Sequence, residues 1–328
     1  MVQGCENVRP ALRRAPRVSY RWVDPETVLQ EAGTLGVFGF GTGAVRSEDP
    51  RWLGVDLESF DAPTPLEIWQ VDGSVTHGRA GDVQWSRGDG WLFAAITLDE
   101  ATHGGPRDTA VTAYAQLCDF VASRRECHVQ RIWNYLGDIN QGDGDVERYK
   151  QFCEGRADGM GRFFADGFPA ATAIGHHAPA MRLQVYLLAC DEPGERVENP
   201  RQVSAWQYPR QYGRIAPTFA RAMTLPGQDV LAISGTAAVV GHASAHQDDL
   251  LAQLDETLVN LESLLVSAGM PAGFDTQSPL KVYVRHPTDA PLVHDFLQRR
   301  LPGVPVLALH GDICRSELLV EIDGWRYA

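Results

Sequence analysis

A chain of 328 residues with 44% hydrophobic content can bury one large core or two to three modules. Its formal charge of −13 argues against a nucleic-acid surface as the main function. No apolar run approaches about 20 residues, so no membrane span is expected. The N-terminal stretch MVQGCENVRPALRRAPRVSY carries arginines but lacks the apolar segment of a secretory signal. Cys5, Cys118, Cys127, Cys153, Cys190 and Cys314 are scattered without a CxxC pair. That pattern predicts reduced thiols and a cytoplasmic protein, not a disulfide frame or a zinc site.

Residues 1–90 read as an N-terminal extension packed on the core, rich in Gly, Pro and Trp. Leu35–Phe40 and Pro65–Val71 are its predicted strands. The run from Gly39 through Thr42 to Gly43 invites a phosphate-loop reading. The Lys-Ser/Thr pair of such a loop is absent, so a glycine-rich turn is the better expectation.

Residues 91–198 form a first unit. Trp91–Leu98 is an apolar strand. Thr109–Arg125 is an amphipathic helix capped by Asp108 or Thr109, with Val111, Tyr114, Leu117 and Val121 on one face. Arg131–Leu136 is a strand, and Asp145–Phe164 a second helix with Val146, Tyr149, Phe152 and Phe163 as apolar positions. Phe168–Ile174 and Leu183–Ala189 close the unit as strands.

Residues 199–328 hold a connector and a second unit. The connector, Asn199–Gln228, has no Asp or Glu in an acidic chain, and carries Arg201, Arg210, Arg214 and Arg221 with Trp206, Tyr208 and Tyr212. Guanidinium forks and phenols without competing acids suit a small anionic substrate. The competing reading is a surface connector whose arginines pair with acids elsewhere. The second unit repeats the first. Val230–Ser234 is a strand and Gln247–Ser267 a helix, with Asp248 and Asp249 in its first turn. Lys281–Arg285, the helix Ala290–Arg299, and the strands Val304–Leu309 and Leu318–Ile322 follow. The segment FPAATAIGHHAPAMRLQVYLLA aligns without gaps on VPVLALHGDICRSELLVEIDGW, Pro169 with Pro305 and Gly175 with Gly311. This is a duplication of a sheet with helices on one face, an α+β (mixed α/β) class. A pocket where the two units meet is expected, and the connector can line it.

Ile233–Gly241 (ISGTAAVVG), Gln253–Gly269, Lys281–Asp289 and Cys314–Gly324 resemble the YjgF-like Rid family. A narrower resemblance spans most of the chain. RIWNYLGDIN (131–140), ERYKQFCEGR (147–156), SAWQYPRQYG (204–213), FARA (219–222), ISGTA (233–237) and the Cys314–Gly324 tail are similar, in order, to the chorismatases, which remove pyruvate from chorismate. The resemblance implies two YjgF/Rid-like units packed together behind an N-terminal extension, with the active site between them.

Chorismate is a dicarboxylate, so two arginine anchors would both bind and orient it. Arg210 and Arg221, helped by Tyr208 and Tyr212, are the expected anchors, with Arg148 and Arg156 as further candidates. Gly235 and Thr236 of the ISGTA strand complete the expected substrate contacts. Glu321 lies in an apolar strand. Pattern alone leaves it either a solvent-facing edge residue or a general acid made basic by burial. The chorismatase tail carries its catalytic glutamate in this motif. Cys314 is by pattern a small buried hydrophobe. With Gly235 in place of the alanine of some relatives, it resembles the subgroup that forms 3-hydroxybenzoate, in some members also 4-hydroxybenzoate, through an intramolecular ring attack. His176, His177, His242 and His246 lack a metal-ligand spacing, so neither metal nor cofactor is expected. The expected partner is the small molecule alone, with no nucleic acid and no membrane. A monomer is plausible because the duplication supplies the second wall, a YjgF-like trimer being the other possibility. The alternatives in function are a Rid-type enamine or imine deaminase and a non-catalytic small-molecule binder.

Overall fold

The apolar runs of the sequence pair into three main sheets in the structure, a computed structural model that describes residues 14–41, 43–44, 47–227 and 229–328. Cys5, Thr42, Gln228 and the N-terminal stretch read for a signal, up to residue 13, lie outside the described residues. The N-terminal part comprises β1 (Arg17–Arg21), α1 (Pro25–Leu29), β2 (Thr34–Phe40), β3 (Trp52–Val55) and β4 (Leu66–Gln70). Its strands pair in the order β1-β4-β2-β3, and the predicted LGVFGF strand is buried along its whole length.

The first unit contains β5 (Thr76–Ala80), β6 (Val83–Gly88), β7 (Trp91–Asp99), α2 (Glu100–His103), α3 (Pro106–Ala122), β8 (His128–Gly137), α4 (Arg148–Met160), β9 (Ala170–His176) and β10 (Arg182–Cys190). The second contains β11 (Glu195–Val197), β12 (Ala222–Thr224), β13 (Val230–Thr236), β14 (Val239–Val240), β15 (Ala243–Ser244), α5 (Leu250–Ser267), β16 (Leu280–Val284), α6 (Ala290–Arg300), β17 (Val306–His310), β18 (Asp312–Ile313) and β19 (Val320–Tyr327). The strand orders are the same. One sheet runs β9-β8-β10-β7-β6-β5, with β18 of the second unit added outside β9, and the other β17-β16-β19-β13-β12-β11. β9–β8 and β17–β16 are parallel, and β8–β10 and β16–β19 are antiparallel. The repeat read in the sequence is therefore a repeat of topology, and the class is α+β.

Several boundaries differ from the sequence reading. The hairpin β5–β6 precedes residue 91 yet belongs to the first unit's sheet, so that sheet reaches back into the stretch read as extension. Helix α3 starts at Pro106 after Gly105, which takes φ 93°, and Asp108 sits in its first turn instead of capping it. Helix α4 begins only at Arg148, because the Gly144–Val146 segment forms a separate 3₁₀ turn, and Val146 is exposed there. The Asp249 side chain accepts from the Ala252 amide, so Asp249 is the cap of α5 and not a first-turn residue.

Helices α3 and α4 cover the outer face of the first sheet, and α5 and α6 that of the second. The inner faces and the N-terminal sheet share one core, in which Trp133 stacks on Tyr186 at 4.9 Å and Trp69 meets Trp325 edge-on. Charge is buried there as well. Lys281 Nζ lies 3.0 Å from Glu67 Oε2 and donates to the Tyr186 hydroxyl, while Glu67 Oε1 accepts from Trp69 Nε1. Burial works against the Lys281 charge, but Glu67, Tyr135 and Asp323 together outweigh it and the ammonium titrates above its ordinary value. The pair ties β16 to the N-terminal sheet. Replacing Lys281 with Met leaves the Glu67 carboxylate buried without its counter-ion. The expected loss is about 3–5 kcal/mol of unfolding free energy in urea denaturation; a loss below about 1 kcal/mol would mean the pair holds nothing together.

Candidate active site

Where the two repeated sheets meet, a cavity of about 630 Å³ opens between α4 with its preceding loop, the arginine-rich connector, β13 and the segment before β19. That volume is in the ordinary range for a small-molecule site. Glu321 stands in its wall. β19 is not an edge strand; it runs between β13 and β16, and Glu321 is only 5% exposed. Val320 and Ile322 turn toward the helices, which sends Glu321 and Asp323 to the opposite face, where the two sheets meet.

Burial pushes the Glu321 carboxyl up to about 8, the neighbouring Asp323 charge adds to the rise, and Arg131, Arg221 and Arg315 oppose it. At neutral pH the residue is therefore a carboxylic acid that faces a cavity. The ladder between β13 and β19 slips between Ile233 and Thr236, and Gly235 lies in the slip. Its amide donates to Thr172 Oγ1 instead of to β19. A methyl group at 235 would overlap Glu321 Oε1 and stand 2.8 Å from the carboxyl carbon. Glycine is what leaves the Glu321 side chain its place.

Cys314 reaches the same cavity by a crossover. β18 leaves the second unit and pairs with β9 of the first. Arg285 grips the segment that follows, donating to Asp312 Oδ1, to the Ile313 and Arg315 carbonyls and, through Nε, to Leu318 O at 2.7 Å. Burial, with the Glu321 charge behind it, pushes the Cys314 thiol up to about 12. It is a weak hydrogen-bond donor at neutral pH, not a nucleophile.

Three guanidinium groups face the cavity. Arg156 of α4 is buried, and its Nε and Nη2 have no partner among the described residues. Arg221 donates from Nη2 to the Tyr208 hydroxyl at 2.7 Å and to Val203 O, while its Nε has no partner. Arg315 lies over the Tyr212 ring at 3.9 Å and over Tyr208 at 5.0 Å. The connector's two tyrosines thus prop two arginines against the cavity. Buried N–H groups without acceptors are costly, and an anion would satisfy them.

Of the residues expected from sequence, Glu321, Cys314, Arg156, Tyr208, Tyr212, Arg221 and Gly235 come together here. Arg148, Arg210 and Thr236 do not. Arg148 donates to both oxygens of Glu100 at 2.7 Å and to Gly137 O, anchoring the start of α4. Arg210 makes a bidentate pair with Asp145 and shares it with Arg214 on the surface. Arg201 is taken by Glu256. Thr236 turns away, its hydroxyl donating to Ser234 O. The surface-connector reading is right for three of the four connector arginines. Arg315, Tyr149, Asn134 and Thr172 line the cavity and were not anticipated. Asn134, Tyr149 and Arg315 lie inside the family motifs quoted above, whereas Thr172 had no such signal. Among the described residues, no group of three or more His, Cys, Asp or Glu converges as metal ligands would. His176 contacts Arg182 O, and His246 Nε2 lies 3.0 Å from Glu256.

A family model described as chorismatase FkbO/Hyg5-like, N-terminal, matches residues 67–189. A 3-hydroxybenzoate synthase of Streptomyces hygroscopicus is 35% identical over 290 residues, 83% of this chain and 84% of the relative. A chorismatase of Streptomyces rapamycinicus is 35% identical over 86% of this chain and 88% of its own. A chorismatase crystal structure superposes with a TM-score of 0.84 at 30% identity, covering 96% of this chain and 98% of that one.

The buried carboxyl has a consequence for stability. Its proton affinity is higher in the folded than in the unfolded chain, so the stability it allows is fully present below the unfolded carboxylate range. That stability is lost as pH rises toward about 8. Glu321→Gln mimics the protonated form at every pH. The melting temperature of this variant minus that of the wild type is expected to grow between about pH 5 and about pH 9. A gap that does not change with pH would show that Glu321 titrates as an exposed carboxylate.

Proposed function

The chain belongs to the chorismatase family, and from that premise we propose that it converts chorismate to 3-hydroxybenzoate and pyruvate with Glu321 as the general acid. One observation carries the reading: a buried carboxyl, which burial pushes up to about 8, shares a cavity with three buried or aromatic-backed arginines, two of which hold N–H groups without protein acceptors. Arg156 and the Arg221–Arg315 pair stand on different elements, as two separated carboxylates require. The dianion supplies the acceptors these groups lack, and its orientation follows from pairing both ends.

The chemistry needs a proton at carbon. Glu321 gives its proton to the methylene carbon of the enolpyruvyl ether, leaving an oxocarbenium ion at the ether carbon. The neighbouring ring hydroxyl attacks the ring carbon that bears the ether. The ring carbon–oxygen bond breaks with its electron pair going to oxygen, and pyruvate leaves with its keto group formed. The proton lost from the hydroxyl restores the Glu321 acid. The resulting arene oxide opens and moves one ring hydrogen to oxygen, giving the phenol. Chorismate is thereby divided into the two products with no water or oxidant consumed. A positioned proton donor of this kind ordinarily contributes about 10²–10⁴-fold in rate.

Gly235 and Cys314 support the aromatic outcome. Gly235 leaves the carboxyl room against β13, and the Cys314 thiol stays neutral beside it. Both act on how the ring sits against Glu321 and not on how its carboxylates are held.

Incubation with chorismate should release pyruvate and 3-hydroxybenzoate in equal amounts by chromatography, 4-hydroxybenzoate counting as an accompanying product. Glu321→Gln should lower the rate about 100-fold or more. No pyruvate, or ammonia released from imines instead, would overturn the reading. Cys314→Ala should change the ratio of hydroxybenzoates, or admit a non-aromatic diol, while KM stays within about threefold. An unchanged ratio with a raised KM would make Cys314 a packing residue.

A further inference from the structure

Asp323 plays no part in the scheme above, does not line the cavity, and is completely buried. It follows Glu321 by two residues on β19, so both side chains leave the same face about 6.5 Å apart along the strand. Four donors converge on its Oδ2: Thr172 Oγ1 at 2.7 Å, the Tyr283 hydroxyl at 2.9 Å, Trp133 Nε1 at 3.0 Å and Arg131 Nη2 at 3.2 Å. They come from β8, β9 and β16, so the carboxylate is fixed from both sheets. These four donors, one of them a guanidinium, fill the acceptor capacity of Oδ2.

We propose that Asp323 is a positioning residue for the proton donor: a buried carboxylate, fixed by four donors, whose charge favours the acid form of Glu321 and which, through Thr172, holds the Gly235 backbone against it. This rests on the reading of Glu321 as general acid. Thr172 links the two parts, because its hydroxyl donates to Asp323 and accepts from the Gly235 amide. A negative charge beside a buried carboxyl disfavours its ionisation. The network decides which keeps the proton.

The other groups facing Glu321 fit this assignment. Arg131 from β8 is spent on Asp323, and Arg285, past the end of β16, is spent on the tail segment. Arg221 from the connector, Arg315 from the tail and Arg156 from α4 face the cavity, where substrate would claim them. Tyr283 from β16, Tyr149 from α4 and the Cys314 thiol are pushed above their ordinary values by burial and stay neutral. Asp323 is the one fixed anion beside Glu321 among these groups, and its charge is the largest contribution after burial itself to the raised Glu321 titration.

The test changes the charge and reads the pH profile. Asparagine keeps the carbonyl oxygen that receives the donors and puts its amide where Oδ1 has no partner. Asp323→Asn should move the alkaline limb of kcat/KM toward acid by about one unit or more, and Arg131→Gln should move it the other way. A lower rate with an unmoved limb in either variant would reduce Asp323 to a structural role and overturn the proposal. Glu321→Gln, which leaves Asp323 and its donors in place, decides the matter if neither variant folds. Infrared difference spectra between wild type and Glu321→Gln at pH 7, with ¹³C-carboxyl glutamate or aspartate incorporated, should show a protonated carboxyl that shifts with the glutamate label only. A band that shifts with the aspartate label would place the proton on Asp323 and refute the proposal. These spectra need no substrate. A protonated Glu321 in an enzyme that leaves chorismate intact would therefore count against the functional reading and not against this one.

Discussion

One largely buried carboxyl group sets the terms for the rest of this protein. Glu321 is carried on a central strand, buried between two sheets, and pressed close to a second carboxylate. In water such a group would ionise; here burial and Asp323 together hold the proton on it. The cations that would reverse this are committed elsewhere or face the cavity. A doubly anionic ligand that engaged Arg221 and Arg315 would remove much of what still favours the ionised form. Binding would then hold the proton more firmly on Glu321.

The duplication explains how such a group can exist. Each sheet alone would expose the inner face on which Glu321 lies. Packing two copies face to face, with the N-terminal sheet closing the rest, buries that face under Trp69, Trp133, Tyr186 and Trp325. The cavity survives at one end because the connector and the β18 crossover replace sheet there with loops. Arg285 holds the crossover, and Tyr208 and Tyr212 hold the arginines. The catalytic candidates of the second unit are thus completed by α4 and β9 of the first.

Much of this was legible in the sequence. Strands such as Trp91–Leu98 and Val230–Ser234 are continuous apolar runs, and the gapless match of the two closing segments is visible without coordinates. The hairpin β5–β6 was not, because its polar, largely exposed THGRA strand has no apolar alternation. The site was legible chiefly through the chorismatase resemblance, which pointed to Glu321, Cys314 and Gly235, all of which line the cavity. It was not legible for arginines. Nothing local distinguishes Arg148, which Glu100 holds, from Arg156, which has no such acid, although both lie in ERYKQFCEGR. The partner of an arginine is chosen by tertiary contact across dozens of residues. The same is true of Asp323, whose four donors lie far away in sequence or on another strand.

The account stands or falls on how the substrate lies against Glu321. A crystal structure of the Glu321→Gln variant with chorismate bound tests this most directly. The account predicts one carboxylate on Arg156, the other between Arg221 and Arg315, and the enolpyruvyl methylene turned toward the side chain at position 321. Chorismate bound with that methylene facing away, or with neither carboxylate on these arginines, would contradict it.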